Sequence, residues 1–280
     1  MTPALRLTQA SAPLTKQVTV RDEFGADRSV AIPAERALTV FVDNRELVTL
    51  MTLGAAPELL VLGYLLNQRL VDSVDDIDSI TVDWDVDAAA VKTRAGIERF
   101  DEKTAKRVVT TGCGQGTVFG ELMGELDTLR LPPVDEPTAR LSQSTLYALL
   151  NVMRLRDSTY KSAGSVHGCA LFCQGELLTF VEDVGRHNAI DTIAGWMGLH
   201  GVGGADKIFY TTGRLTSEMV IKSAQMGVPV IVSRSGITQM GHELATRLGL
   251  CLFGRASNRH LICYSGFPRF DAEPEPARPA

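Results

Sequence analysis

The sequence predicts an α/β protein with a smaller β-rich subdomain ahead of an α/β domain. Two observations carry this expectation. Residues 138–270 alternate short apolar runs with segments of helical spacing, the pattern of strands interleaved with helices in a largely parallel sheet covered on both faces. Residues 17–110 instead read as strands with a single helix. Residues 111–137 lie between as a cysteine-bearing loop and linker, and residues 1–16 and 271–280 ("DAEPEPARPA") read as disordered tails.

Taken in order, "QVTVRDEFGADRSVAIP" is two alternating segments around Gly25, a hairpin signal. "ALTVFVDNRELVTLMTL" repeats it around Asp43 and Asn44. Pro57 opens a helix, because its fixed φ suits a first turn. Leu59, Leu62, Gly63, Leu66 and Leu70 keep helical spacing after it. "ITVDWDVDAAAV" is expected as one strand, with Ile80, Val82, Trp84 and Val86 on one face and Asp83, Asp85 and Asp87 on the other. A calcium loop is one reading of these aspartates, but its required Gly and terminal Glu are missing, which favours a solvated strand face.

After "LPPVDEP", Leu146, Leu149, Leu150 and Met153 form a helical stripe. "CALFC" and "ELLTFVEDV" flank Gln174-Gly175 as a hairpin. "RHNAIDTIAGWM" is a helix, "KIFYTTG" a strand, and "TSEMVIKSAQMG" a helix with Thr216 at its cap and Gly227 at its stop. "VPVIVS" is a buried strand, "TQMGHELATRLG" a helix ended by Gly249, and "LCLFG" a further strand.

The 280 residues are 45% hydrophobic with a net charge of -5, so no basic field marks general nucleic-acid binding. No apolar run reaches membrane-spanning length, and Met1 to Lys16 lacks an apolar signal core. The expectation is a cytoplasmic protein with neither nucleic acid nor membrane as partner. Five cysteines, an odd number, fit reduced thiols better than a disulfide scaffold.

In α/β sheets ligands bind beyond the carboxyl ends of the strands. Four polar, Gly-containing loops sit there: "EDVGRHNA" (182–189), "TTGRLTSE" (211–218), "SRSGIT" (233–238) and "GRASNRH" (254–260). Each carries arginine: Arg186, Arg214, Arg234, and Arg255 with Arg259. A guanidinium offers a planar fork to phosphate or a base edge, and helix starts add free N–H groups. A single loop of this kind needs no more than turn and cap chemistry to explain it. Four together predict a rim for a large, multiply charged ligand.

His167, Cys169 and Cys173 do not make a zinc site, since the deaminase pattern of H-x-E followed by P-C-x-x-C is absent. Cys169, Cys173, Cys251 and Cys263 sit in apolar strand contexts and read as buried structural thiols. Cys113, in "TTGCGQGT", differs. Its glycine neighbours give access and mobility, which a reactive thiol needs.

"GSVHGCALF", "VEDVGRHNAIDTIAG", "TTGRLTSEMVIKSAQMGVPVIVSRS" and "LCLFGRASNRHLICYSGFPR" together resemble the FdhD family of formate dehydrogenase accessory sulfurtransferases. "NRELVTLMTLGAAPELLVLGYLL" is similar to that family's opening region, and the resemblance spans about residues 18 to 270. It implies a cytidine deaminase-like α/β/α sandwich without the zinc site, assembled as a homodimer. It also implies an activity: sulfur is taken from a cysteine desulfurase as a loop-cysteine persulfide. The sulfur is then passed to molybdenum (or tungsten) in a bis(molybdopterin guanine dinucleotide) cofactor, bound as substrate, which goes on to formate dehydrogenase.

On that resemblance the persulfide cysteine falls on Cys113. The cofactor-binding segment falls on Arg255, Ala256, Ser257, Asn258, Arg259 and His260, and Arg186, His187, Asn188, Gly213, Arg214 and Ser217 match motifs of the same rim. One departure stands out. The family's loop carries a second cysteine three residues on, where this chain has Gly116. One thiolate suffices to accept sulfane sulfur, but release then needs an acceptor or another thiol. The alternative reading is a cofactor-binding chaperone that does not transfer sulfur.

Overall fold

A computed structural model describes residues 4–98, 100 and 128–273. The chain divides into two compact units that interleave in sequence. The first holds Met1–Leu126, Asp157–Cys169 and Phe180–Val202; the second holds Asp127–Arg156, Ala170–Thr179 and Gly203–Ala280. Where the sequence pattern suggested two subdomains in linear order, the chain returns to the first unit twice.

In the first unit, β1 (Arg6–Leu7), β4 (Arg36–Val42), β5 (Arg45–Thr52), β6 (Ile77–Asp83) and β7 (Ala88–Thr93) form one mixed sheet in the order β1-β6-β7-β4-β5. β1 lies inside the stretch read as a tail. Arg6 pairs with Ser79 and Leu7 with Ile80, which gives that segment backbone partners that composition does not reveal. β2 (Thr15–Arg21) and β3 (Asp27–Pro33) form the expected hairpin around Gly25, whose φ is 79°. β4 and β5 turn at Asp43 and Asn44, both with positive φ, as a two-residue hairpin requires.

"ITVDWDVDAAAV" is not one strand. β6 and β7 are antiparallel and the chain reverses at residues 84–87. The alternating aspartates are the cause: the Asp83 carboxylate accepts the Asp85 N–H at 2.9 Å, and Asp87 takes a left-handed φ of 51°.

Helix α1 (Pro57–Asn67) follows β5, and α4 (Arg186–Leu199) packs against it. Leu60, Val61, Leu62, Tyr64 and Leu65 of α1 join Leu38, Val40, Ile77, Ile80 and Val91 of the sheet in one core. The expected stripe on α1 is too narrow, because α1 packs on both the sheet core and α4. Its crossing with α4 is backbone against backbone. A Cβ on Gly63 would lie 1.7 Å from the Asp191 carbonyl oxygen, and one on Gly195 would lie 2.0 Å from that of Leu59. Between α1 and α4, the buried Asn67 amide donates to the buried Asp191 carboxylate at 2.7 Å.

The second unit is built on a sheet of order β10-β9-β11-β12-β13-β14. Its strands are β9 (His167–Cys173), β10 (Glu176–Asp183), β11 (Lys207–Thr211), β12 (Val230–Ser233), β13 (Cys251–Ser257) and β14 (His260–Ser265). β9 and β10 each begin in one unit and end in the other, joined by Gln174 and Gly175 at positive φ. β11, β12 and β13 are parallel neighbours and β14 is antiparallel to β13, so the parallel part of the sheet is its centre.

Helices α5 (Ser217–Gln225) and α6 (Gln239–Leu248) make the crossovers between the parallel strands and pack together. α2 (Gln143–Leu155) buries Leu146, Leu149 and Leu150 and leaves Met153 half-buried, close to the stripe expected. α3 (Thr159–Ala163) is one short turn of the first unit. β8 (Leu141–Ser142) and β15 (Phe270–Asp271) pair in parallel, with Arg140 bonded to Asp271. Arg269 is buried and donates to the carbonyl oxygens of Gly249, Pro133 and Pro132, which ties "LPPVDEP" to this unit.

Candidate functional site

In the second unit the carboxyl ends of β11, β12 and β13 are laced together by their own polar groups. Thr211 and Ser233, the last residues of β11 and β12, are fully buried. The Thr211 hydroxyl accepts the Gly213 N–H at 3.0 Å, and the Ser233 hydroxyl donates to the Gly213 carbonyl at 2.6 Å. The Arg234 N–H reaches the Thr211 carbonyl, and the Arg255 N–H reaches the Ser235 carbonyl at 2.8 Å. Leu215 bridges Ile237 in parallel. Both polar groups of Gly213 are therefore engaged within the loop. Its part is to set a turn, and the buried hydroxyls of Thr211 and Ser233 hold it there.

This lacing leaves the guanidinium groups outward. Arg214 and Arg234 are exposed just past the last residues of β11 and β12, and Arg255 is exposed within β13, past the stretch that pairs with β12. Arg255 is held at a φ of 51°, inside a register break of β13 between Gly254 and Ser257. A bulge of this kind re-aims a side chain, and a non-glycine residue in the left-handed region carries strain. Gly254 cannot be larger, since a Cβ would meet the Tyr264 ring at 2.7 Å and the Ser235 carbonyl at 3.1 Å. Ser217 stands half-buried at the first residue of α5, behind the capping position Thr216, whose side chain makes no capping bond.

"GRASNRH" is the end of β13 and its turn into β14, rather than a loop. Ala256 is fully buried in the core, whereas Arg255, Ser257, Asn258, Arg259 and His260 are exposed. Asn258 and Arg259 meet Tyr147, Asn151 and Arg154 of α2 around a cleft of about 400 Å³. The Tyr147 hydroxyl donates to the Arg259 carbonyl at 3.1 Å, and Arg154 donates to Asn151 at 2.8 Å. Two guanidinium groups, an amide pair and a phenol suit the phosphate and base edges of a nucleotide. Nothing in the sequence pattern linked α2 to this turn.

The fourth loop, "EDVGRHNA", belongs to the first unit, and its conspicuous residues are largely a clasp. Asp183 is buried. One of its oxygens accepts from the Thr52 hydroxyl and the Leu53 N–H; the other accepts from the Gly185 N–H and the Asn188 amide. Burial pushes its carboxyl above the usual range, while these four donors pull the other way. Asn188 also donates to the Met51 carbonyl at 2.7 Å. Glu182 caps α3 by accepting the Thr159 and Tyr160 N–H groups. Arg186 is buried and His187 half-buried, so the exposed arginine expected in this loop is absent.

Cys113 and Gly116 lie outside the described residues. Cys169 and Cys251 are buried, and Cys173 and Cys263 are half-buried. The Cys173 thiol donates to Asp206 at 3.3 Å, and Lys207 pairs with the same carboxylate. Burial is the main reason its acidity falls below that of an ordinary thiol. Among the described residues no three His, Cys, Asp or Glu side chains are grouped to hold a metal ion. No helix among them is long and apolar enough to cross a membrane.

Comparison with known proteins adds to this geometry. The chain is 28% identical over 259 residues to a protein of Listeria innocua named sulfur carrier protein FdhD, covering 91% of this chain and 98% of that one. Proteins of the same name from Geobacillus kaustophilus and Bacillus subtilis are 30% and 29% identical. The alignments cover 80% and 82% of this chain, and 83% and 87% of those relatives. A solved structure from Desulfotalea psychrophila, reported as a candidate formate dehydrogenase accessory protein, shares the fold. Its TM-score is 0.74 at 24% identity, over 92% of this chain and all of that one. The FdhD/NarQ family model matches residues 33–271, and the chain belongs to that family.

Proposed function

We propose that this protein is a cytoplasmic sulfur carrier and sulfurtransferase required for formate dehydrogenase activity. The Cys113 thiolate attacks the terminal sulfur of a cysteine desulfurase persulfide. The new S–S bond leaves Cys113 as its persulfide, and the desulfurase thiolate departs. The sulfane sulfur must gain two electrons to become a sulfido ligand, so its transfer would return Cys113 as thiolate when the metal of the bis(molybdopterin guanine dinucleotide) substrate arrives reduced and gives up that pair.

The observation that carries the substrate half of this reading is the set of exposed arginines on three adjacent strands: Arg214 and Arg234 just past β11 and β12, and Arg255 in β13 past its pairing with β12. Guanine dinucleotides bring phosphates and a base edge, which guanidinium groups at strand ends suit. Ser257, Asn258, Arg259 and His260 extend the same polar surface, and Ser217 adds a hydroxyl at the start of α5. In this reading Gly213 and Ala256 support the substrate surface through backbone and core packing rather than by direct contact. The fold is read as the cytidine deaminase-like α/β/α sandwich without zinc, and the protein as a homodimer that serves a formate dehydrogenase.

The test is intact-protein mass spectrometry after incubation with a desulfurase and cysteine. Wild type is expected to gain the mass of one sulfur atom on Cys113. Equal uptake by Cys113→Ala would remove the assignment. Gly116 favours one second reading, a chaperone that carries the cofactor without transferring sulfur, since the loop has no resolving thiol of its own.

A further inference from the structure

Two more thiols meet elsewhere in the second unit. β13 and β14 pair antiparallel, with Phe253 opposite Cys263 and Leu252 opposite Ser265, so Tyr264 is the extra residue of a bulge. Cys251 is two residues from Phe253 and shares its face by strand alternation. That places Cys251 and Cys263 as diagonal neighbours across the pair, within reach of one another. Cys251 is fully buried, whereas Cys263 is half-buried with its sulfur 3.4 Å from the Ser265 carbonyl. The buried guanidinium of Arg269 exerts a smaller, opposing pull toward the Cys251 thiolate.

We propose that Cys251 and Cys263 are a reactive dithiol, in which Cys263 attacks low-molecular-weight disulfides and Cys251 resolves the adduct. Exposure sets the order, because a reagent reaches the buried Cys251 only through Cys263. The neighbouring thiols shift one another in the same order: Cys251 lowers the Cys263 thiol, and Cys263 together with burial raises that of Cys251.

In the first step Cys263 thiolate attacks one sulfur of R–S–S–R. A protein mixed disulfide forms and RS⁻ leaves, taking up the proton released by Cys263. In the second, Cys251 loses its proton and attacks the Cys263 sulfur, and the second RSH departs. The sum is one protein dithiol oxidised to a disulfide and one R–S–S–R reduced to two RSH. The bond closes the base of the hairpin whose turn carries Asn258 and Arg259. This inference does not depend on sulfur carriage by Cys113.

The experiment uses the full chain carrying Cys113→Ser, so the loop thiol takes no part. The chain is treated with excess oxidised glutathione, the remaining thiols are blocked, and peptides are mapped by mass spectrometry. The expected product is a Cys251–Cys263 cross-link without retained glutathione. In a Cys251→Ser chain glutathione should remain on Cys263; in a Cys263→Ser chain Cys251 should stay free. A cross-link that uses Cys173, or no cross-link in the parent chain, would overturn the proposal. So would an unmodified Cys263 in the Cys251→Ser chain. If either serine chain fails to fold, mapping of the parent chain decides alone.

Discussion

At the scale of the residue, Arg255 joins two properties that usually conflict. Its φ of 51° costs stability, and its side chain is exposed in the bulge of β13, past that strand's pairing with β12. Arg255→Gly is expected to relieve the left-handed strain and raise stability by about 0.5–1 kcal/mol in denaturant unfolding. The same change should weaken guanine nucleotide binding in calorimetry by roughly tenfold, the scale of one charge-assisted hydrogen bond.

Asp183 makes the opposite case, a charged residue whose work is internal. Asp183→Ala strands the Thr52 hydroxyl, two backbone N–H groups and the Asn188 amide. Each buried donor left without a partner costs on the order of 1–3 kcal/mol, so the expected result is a large loss in unfolding free energy. A sequence pattern does not separate these two roles. Both residues fall in polar sequence stretches that also hold glycine and arginine, and only burial tells the clasp from the exposed cation.

At the scale of the element, the α1–α4 crossing depends on two glycines. Gly63→Ala or Gly195→Ala puts a methyl into a facing carbonyl, so the helices must separate. The expected cost is at least about 1–3 kcal/mol, the usual price of overpacking, read as a lowered midpoint in thermal or urea unfolding.

The β8–β15 tie gives a pH prediction. The Arg140 guanidinium holds the Asp271 carboxyl below its ordinary value of 3.8. A depressed carboxylate contributes stability that is present above the ordinary value and lost as pH falls through the folded one. NMR titration should place the Asp271 midpoint below 3.8, and Arg140→Ala should return it there.

Elements with strong period or turn signals were legible in the sequence: both N-terminal hairpins, α1, and the alternation from β11 through α6. What was missed depended on partners remote in the chain. β1 exists through β6, β8 through β15, and the β6–β7 turn through aspartate side chains that alternation disguises. Of the candidate site, the arginines of three loops could be read from strand-end chemistry. The α2 side of the cleft could not, because Tyr147, Asn151 and Arg154 come together with Asn258 and Arg259 only in three dimensions.

At the scale of the whole molecule, the four arginine-bearing stretches divide between the two units. "VEDVGRHNAID" bonds to β5, α1 and α3 of the first unit through Glu182, Asp183, Asn188 and Asp191. The exposed Arg214, Arg234 and Arg255 belong to the second. The central claim is that sulfur passes through Cys113, and complementation tests it most directly. Wild type, Cys113→Ala and Gly116→Cys are expressed side by side in a strain lacking its own copy of the gene, and formate dehydrogenase activity is assayed. Wild type and Gly116→Cys should restore activity, and Cys113→Ala should leave it at background. Full activity with Cys113→Ala would contradict transfer and leave carriage of the cofactor as the function.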